Sequence, residues 1–261
     1  MLYHYTSIAT LALILKGRKI RFNNLLNVDD PYEMETADMG NFGKHCLISC
    51  WTKNVEDVLP MWNMYTPDMR GVRIGMREFP FKKYTYPRGY CGLEKRAETY
   101  INLKKIYDDG KAAISIRSPE LIEVEYTDDE NKLKPQIKHK HIETSSESIS
   151  LHGIGRYKKS YWEFQKEWRY KIIAFPYSLK MLQGIRTEKE MIVLWDEICN
   201  TEKEQSYDEL YLDLSDDAFE NMEILLGPKT SEAEEIIIRS LVNQYCPNDN
   251  VLIKKSQIRI R

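Results

Sequence analysis

An imidazole flanked by hydroxyls stands near the start of the chain, in Tyr3-His4-Tyr5-Thr6-Ser7. A carboxylate stands in a distant aromatic run, Trp162-Glu163-Phe164-Gln165-Lys166-Glu167-Trp168-Arg169. The first segment reads as the end of a short apolar strand. The second reads as a helix, residues 156–166, running into a strand that begins at Glu167 and ends at Phe175. Imidazole and hydroxyl groups bind polar ligand atoms, and a fixed carboxylate stabilises positive charge that develops in a reaction. One composite site built from two remote strand ends is the first reading of this pair.

Other chemistries fit the residues less well. His45, Cys46 and Cys50 are close in sequence, but there is no CxxC pair and no HExxH helix, so zinc spacing is not met and no metal is expected. Gly227-Pro228-Lys229-Thr230 lacks the earlier glycine of a P-loop and reads as a turn before a helix cap. The basic stretch from Lys132 to His141 has no aromatic rings for stacking single-stranded bases. Glu163 and Glu167 would form an acid–nucleophile pair only on one continuous helix. The alternation in Glu167-Trp168-Arg169-Tyr170-Lys171 is that of a strand, so Glu167 projects with Arg169 and Lys171 and is separated from Glu163. The plainer reading of Glu167 is a surface carboxylate paired with Arg169.

The elements that must position these residues follow from periodicity. Leu2 to Tyr5 reads as a strand. Thr6 or Ser7 caps a helix whose stripe is Ile8, Leu11, Ile14 and Leu15, and Gly17 suits its end. Lys19 to Phe22 alternates as a strand. Asn27-Val28-Asp29-Asp30-Pro31-Tyr32-Glu33 is a turn or one wall of a site. In the strand from Cys46 to Trp51, Ser49 and Trp51 share one face while Cys46, Ile48 and Cys50 take the other. Pro60 opens a short helix with Met61, Trp62 and Tyr65 on one side. Val72 to Met76 is a strand, 93–107 a helix, Leu121 to Tyr126 a strand and 128–150 a loop or insertion. Later come apolar elements at 191–195 and 209–214, a strand at Met222 to Leu226, and a helix with a capping box at Thr230 or Ser231 and Glu234. Its expected buried face is Ile237, Leu241, Val242 and Tyr245. Strands at 251–254 and 257–260 close the chain. Without regular alternation of strand and helix, the fold class is α+β in a single domain spanning 1–261.

The chain has 261 residues, 42% hydrophobic and 30% charged, with a formal net charge of −2. That balance argues against a surface devoted wholly to nucleic acid. No apolar run approaches the roughly 20 residues of a membrane span, and no signal peptide is read at the N-terminus. Five scattered cysteines suit reduced thiols, and a cytoplasmic location is expected.

Taken in order, the Tyr3–Ser7 segment, the Asp29-Asp30-Pro31-Tyr32-Glu33 loop, the Ser49 strand, Met61-Trp62-x-x-Tyr65 with Gly71-Val72, Trp162-x-x-Gln165-x-Glu167-Trp168-Arg169 and Leu226-Gly227-Pro228 resemble a bacterial family known as a domain of unknown function, number twenty-nine seventy-one. The family usually has Asn where this chain has Asp29, and Glu where it has Gln165. The second departure leaves Glu167 as the candidate acid.

That family is in turn distantly similar to ADP-ribosyltransferases of the His-Tyr-Glu type, which bind NAD as a substrate between two small, mostly antiparallel sheets. The resemblance implies an NAD-dependent ADP-ribosyltransferase-like enzyme that transfers ADP-ribose to a macromolecule or hydrolyses NAD, with a toxin or phage-defence role. By the same resemblance His4 binds a ribose, the backbone near Tyr5 and Thr6 holds the nicotinamide amide, and Glu167 is the catalytic glutamate. Tyr65 or Trp62 stacks on nicotinamide, with Ser49 and Trp51 as competing middle elements, and Arg169 orients Glu167 or binds a phosphate. The alternatives are a non-catalytic nucleotide or nucleic-acid binding module, and a nuclease using His4 with Lys159.

Overall fold

A computed structural model describes residues 1–141, 146–200, 202–247 and 249–260. The elements run β1 (Leu2–Thr6), α1 (Ile8–Gly17), β2 (Lys19–Asn24), β3 (Cys46–Thr52), α2 (Leu59–Tyr65), β4 (Val72–Met76), β5 (Tyr84–Tyr86) and β6 (Ala97–Thr99). Next come α3 (Leu103–Asp109), β7 (Ala113–Ile114), β8 (Glu120–Glu123), β9 (Glu125–Tyr126), α4 (Glu130–Leu133), β10 (Lys138–His141), β11 (Ser146–Ile149), β12 (Tyr157–Lys158) and β13 (Glu167–Phe175). The chain closes with α5 (Leu179–Gly184), α6 (Glu188–Asn200), β14 (Glu209–Asp213), β15 (Glu223–Leu226), α7 (Glu232–Tyr245) and β16 (Leu252–Lys255). The class is α+β, as the sequence implies.

The sheet arrangement differs from the two small sheets expected. Among the described residues ten strands join in one hydrogen-bonded network, and the pairs β5–β6, β9–β12 and β10–β11 stand apart from it. β3 is the centre of that network. One edge carries β13 along its length, from Thr52 opposite Glu167 to Cys46 opposite Ile173. The other edge forks: β2 pairs near the start of β3, at Leu47 and Ile48, while β1 meets it at Thr52. From the fork one branch continues to β14 and the other through β4 and β15 to β16.

The alternation of β3 and β13 splits their side chains between two faces. Leu47, Trp51, Tyr170 and Ile172 enter the main core, with Leu11, Ile14 and Leu15 of α1 and Ile238 and Val242 of α7. Ser7 caps α1 through its side chain, and the helix ends at Arg18, which takes the left-handed conformation expected of glycine nearby. On the opposite face lie Cys50, Glu167 and Arg169.

Several local expectations are corrected. Residues 93–107 are not one helix: β6 pairs with β5, and Asn102 caps a helix that starts only at Leu103, its side chain accepting from the Lys105 amide. Residues 156–166 form β12 and a 3-10 turn, Ser160–Gln165, which stops at Lys166 with φ 43°. The 128–150 stretch contains α4 and the β10–β11 hairpin, and its residues 142–145 lie outside the described residues. The buried face of α7 is Ile238 and Val242, while Ile237 is 52% exposed. No strand forms at 257–260.

Candidate functional site

Glu167 begins β13 in a fixed backbone setting. Its amide donates to the Tyr126 hydroxyl at 2.8 Å, and its carbonyl accepts from the Val124 amide at 3.0 Å. The side chain is 5% exposed, so the plain surface carboxylate expected as the alternative is a buried one. Arg169, with no exposed surface, lies two residues on along the same face.

Arg169 is saturated. Its Nε donates to Glu167 Oε1 at 2.5 Å and its Nη2 to Glu167 Oε2 at 3.1 Å. Nη1 donates to Glu33 Oε2 and to the Gly155 carbonyl, and Nη2 to Glu33 Oε1 at 3.0 Å. The fork geometry of guanidinium thus matches two carboxylates at once. Lys158 balances the second negative charge. Its Nζ donates to Gln165 Oε1 at 2.8 Å and Glu167 Oε2 at 3.1 Å, and lies 3.4 Å from Glu33 Oε1. Two buried carboxylates therefore face two buried cations.

The charges are mutually held. Burial raises the Glu167 pKa, but Arg169 and then Lys158 outweigh it and keep the carboxyl well below its usual range. Burial also works against the Lys158 charge, and Glu167 and Glu33 more than offset it, so its pKa is raised.

Tyr65, at the end of α2, joins this cluster from its edge. Its hydroxyl accepts from Gln165 Nε2 at 2.6 Å and donates to Asp29 Oδ2 at 3.0 Å. Burial, followed by the charges of Asp29 and Glu167, raises its pKa and keeps it protonated. Tyr65 and Glu167 are thus connected through Gln165 and Lys158.

The other named residues occupy different places. Trp62 has no exposed surface; its ring meets Tyr5 edge-on at 4.9 Å and its Nε1 donates to Asp57. Trp51 and Ser49 are 3% and 5% exposed on the core face, bonded to each other at 3.0 Å. None of these three offers a free ring or hydroxyl on the Glu167 side, whereas Tyr65 is half-buried. Tyr5 and Thr6 are buried in β1, whose backbone pairs with β4 throughout but with β3 only at Tyr3.

His4 sits where β1 and β2 diverge from β3. Its Nδ1 lies 2.7 Å from the Cys50 carbonyl, and its ring packs 5.2 Å from that of Trp51. A carbonyl can only accept, so Nδ1 carries the proton and Nε2 is left as an acceptor. Burial lowers the His4 pKa against the opposing effect of the Cys50 bond, favouring this neutral form. By strand alternation His4 projects to the Trp51 face, opposite Glu167. The two are nonetheless close along the sheet. Thr52 pairs with both Tyr3 and Glu167, so the ends of β1 and β13 lie two strand spacings apart, about 10 Å.

The sequence does not single out Glu33 or Lys158. Glu33 was visible only as one carboxylate of the Asp29–Glu33 loop. Lys158 lies in a segment that reads as helix, where its inward turn has no periodic signature. Among the described residues no group of three or more His, Cys, Asp or Glu is arranged to hold a metal ion. No helix among them is long and apolar enough to cross a membrane.

A family model described as a protein of unknown function (DUF2971) matches residues 61–170. That stretch includes Tyr65, Lys158, Gln165, Glu167 and Arg169, and leaves out His4 and Glu33. No curated protein matches the chain, and no solved structure does.

Proposed function

We propose that the chain is an NAD-dependent enzyme of ADP-ribosyltransferase type, transferring ADP-ribose to a macromolecule or hydrolysing NAD. The observation that carries this reading is the shared pairing of Thr52 with Tyr3 and Glu167, which brings the two chemistry-bearing strand ends together. The dinucleotide would have to thread the fork between β1 and β2, because His4 and Glu167 project to opposite faces of the sheet. Its adenosine-side ribose would donate a hydroxyl to His4 Nε2, and its nicotinamide ribose would bind at Glu167, with Tyr65 beside the nicotinamide ring.

The chemistry suits that arrangement. When the nicotinamide–ribose bond breaks, its electron pair leaves with nicotinamide and positive charge builds on the ribose. A carboxylate bonded to a ribose hydroxyl stabilises that charge more than it stabilises the intact substrate. The acceptor, a macromolecular nucleophile or water, then forms the new bond and releases its proton. Arg169 would hold Glu167 in place throughout. Lys158 would be the exchangeable partner, since it has Gln165 and Glu33 to bond when a ribose hydroxyl takes its place on Glu167.

A second reading is favoured by a specific observation: both Glu167 oxygens are already occupied. On that reading the cluster is structural and the protein binds a nucleotide or nucleic acid without turnover. No comparable observation favours a nuclease; Lys159 bonds the exposed carboxylate of Glu130 at 2.6 Å. Incubating the purified protein with adenylate-labelled NAD and cell lysate separates the readings. Label on protein, on nucleic acid or in free ADP-ribose supports the enzyme and names its acceptor class; label remaining in NAD supports the binding module.

A further inference from the structure

At the far end of the β3–β13 ladder, where β3 begins and β13 ends, lies a cavity of about 230 Å³. Its lining includes Phe42, Lys44, His45, Phe175, Tyr177 and Glu202. Eight residue steps along β13 separate Phe175 from Glu167, about 26 Å of extended chain. The cavity is therefore remote from the proposed NAD site and independent of it.

Two of its lining residues carry an unusual burden. His45 and Tyr177 are each 3% exposed, yet His45 Nδ1 and the Tyr177 hydroxyl have no hydrogen-bond partner among the described residues. A buried polar atom left unpaired costs about 1–3 kcal/mol, so two such atoms on residues that line one cavity favour a polar partner able to reach them from it. Burial, reinforced by Lys44, lowers the His45 pKa to about 4, which leaves a neutral imidazole with one donor and one acceptor nitrogen. The hydroxyl of Tyr177 likewise both donates and accepts.

The rest of the lining narrows the chemistry. The Phe42 ring meets that of His45 edge-on at 5.0 Å, and Phe175 lies 5.3 Å from Tyr177, so aromatic surface borders the polar pair. Lys44 has a side chain only 12% exposed, and its carboxylate partner is Glu202 at 3.1 Å, itself 79% exposed. So exposed a partner is readily replaced by an incoming anion, because an ion pair whose carboxylate stays in water is worth little. We infer that this cavity is a binding site for a small aromatic carboxylate bearing a second polar group. The carboxylate would displace Glu202 from Lys44, the ring would lie between Phe42 and Phe175, and the second group would satisfy His45 and Tyr177.

The probe is 4-hydroxybenzoate, compared with benzoate, which lacks the hydroxyl, and phenol, which lacks the carboxylate. Calorimetric titration of the full chain is expected to show saturable binding of 4-hydroxybenzoate, with each comparison compound about tenfold weaker or more, the loss of one hydrogen bond or ion contact. Tyr177→Phe and Lys44→Met should each weaken 4-hydroxybenzoate by a similar factor, and Tyr177→Phe should melt no lower than the parent because it deletes an unpaired buried hydroxyl. Absence of saturable binding at millimolar 4-hydroxybenzoate, or binding undiminished in either variant, overturns the assignment.

Discussion

Arg169 and Glu33 form a bidentate ion pair between residues 136 positions apart in the chain. The pair fastens the turn after β2 to the centre of the sheet, and Glu167 shares the same guanidinium. Removing the cation would leave two buried carboxylates with only Lys158 to balance them. Arg169→Met is therefore expected to destabilise the protein by about 3–5 kcal/mol, the usual cost of breaking a buried pair from one side. Urea denaturation measures this directly. A loss below about 1 kcal/mol would mean that the cluster is open to water in solution.

Acid should loosen the same cluster. The Glu167 carboxyl is depressed from 4.5 to about 2, so its contribution to stability is present above pH 4.5 and disappears as the pH falls toward 2. Unfolding free energies followed across that window should fall more steeply for the parent than for Glu167→Gln. Parallel curves would show that Glu167 is not held ionised by its neighbours.

Gly227 offers a test of the packing that surrounds β4 and β15. A Cβ there would lie 2.3 Å from the Met69 carbonyl oxygen, a backbone atom with little freedom to move. Gly227→Ala should cost about 1–3 kcal/mol, as overpacked sites do. Gly184→Ala, where a Cβ meets nothing within 4 Å, is the control and should leave the melting temperature nearly unchanged.

Although β1, β3 and β13 are buried on both faces, the sequence displays them clearly because the alternation of side-chain types along a strand is a local property. The same is true of the α7 capping box, where Ser231 and Glu234 satisfy each other's backbone amides. It misplaces 156–166 because Lys158 turns inward for Glu33 and Glu167, residues remote in the chain or in the next element, and that pull overrides local helical spacing. Trp62 illustrates a second limit. Its spacing puts it beside Tyr65 on α2, but only packing against Tyr5 and Met61 decides that the ring is wholly buried. Glu33 stays unmarked for the same reason: a loop carboxylate becomes distinctive only when an arginine from another strand reaches it.

The most direct test of the NAD reading is nicotinamide release from NAD by the parent protein, by Glu167→Gln and by His4→Ala, each shown by its melting curve to be folded. Release by the parent should fall by about 10²–10³ in Glu167→Gln, the usual effect of removing one group that stabilises transition-state charge. In His4→Ala the loss should appear chiefly as weaker NAD binding. No release by the parent under any acceptor condition, or release unchanged in folded Glu167→Gln, would contradict the assignment of an NAD-consuming site to this end of the sheet.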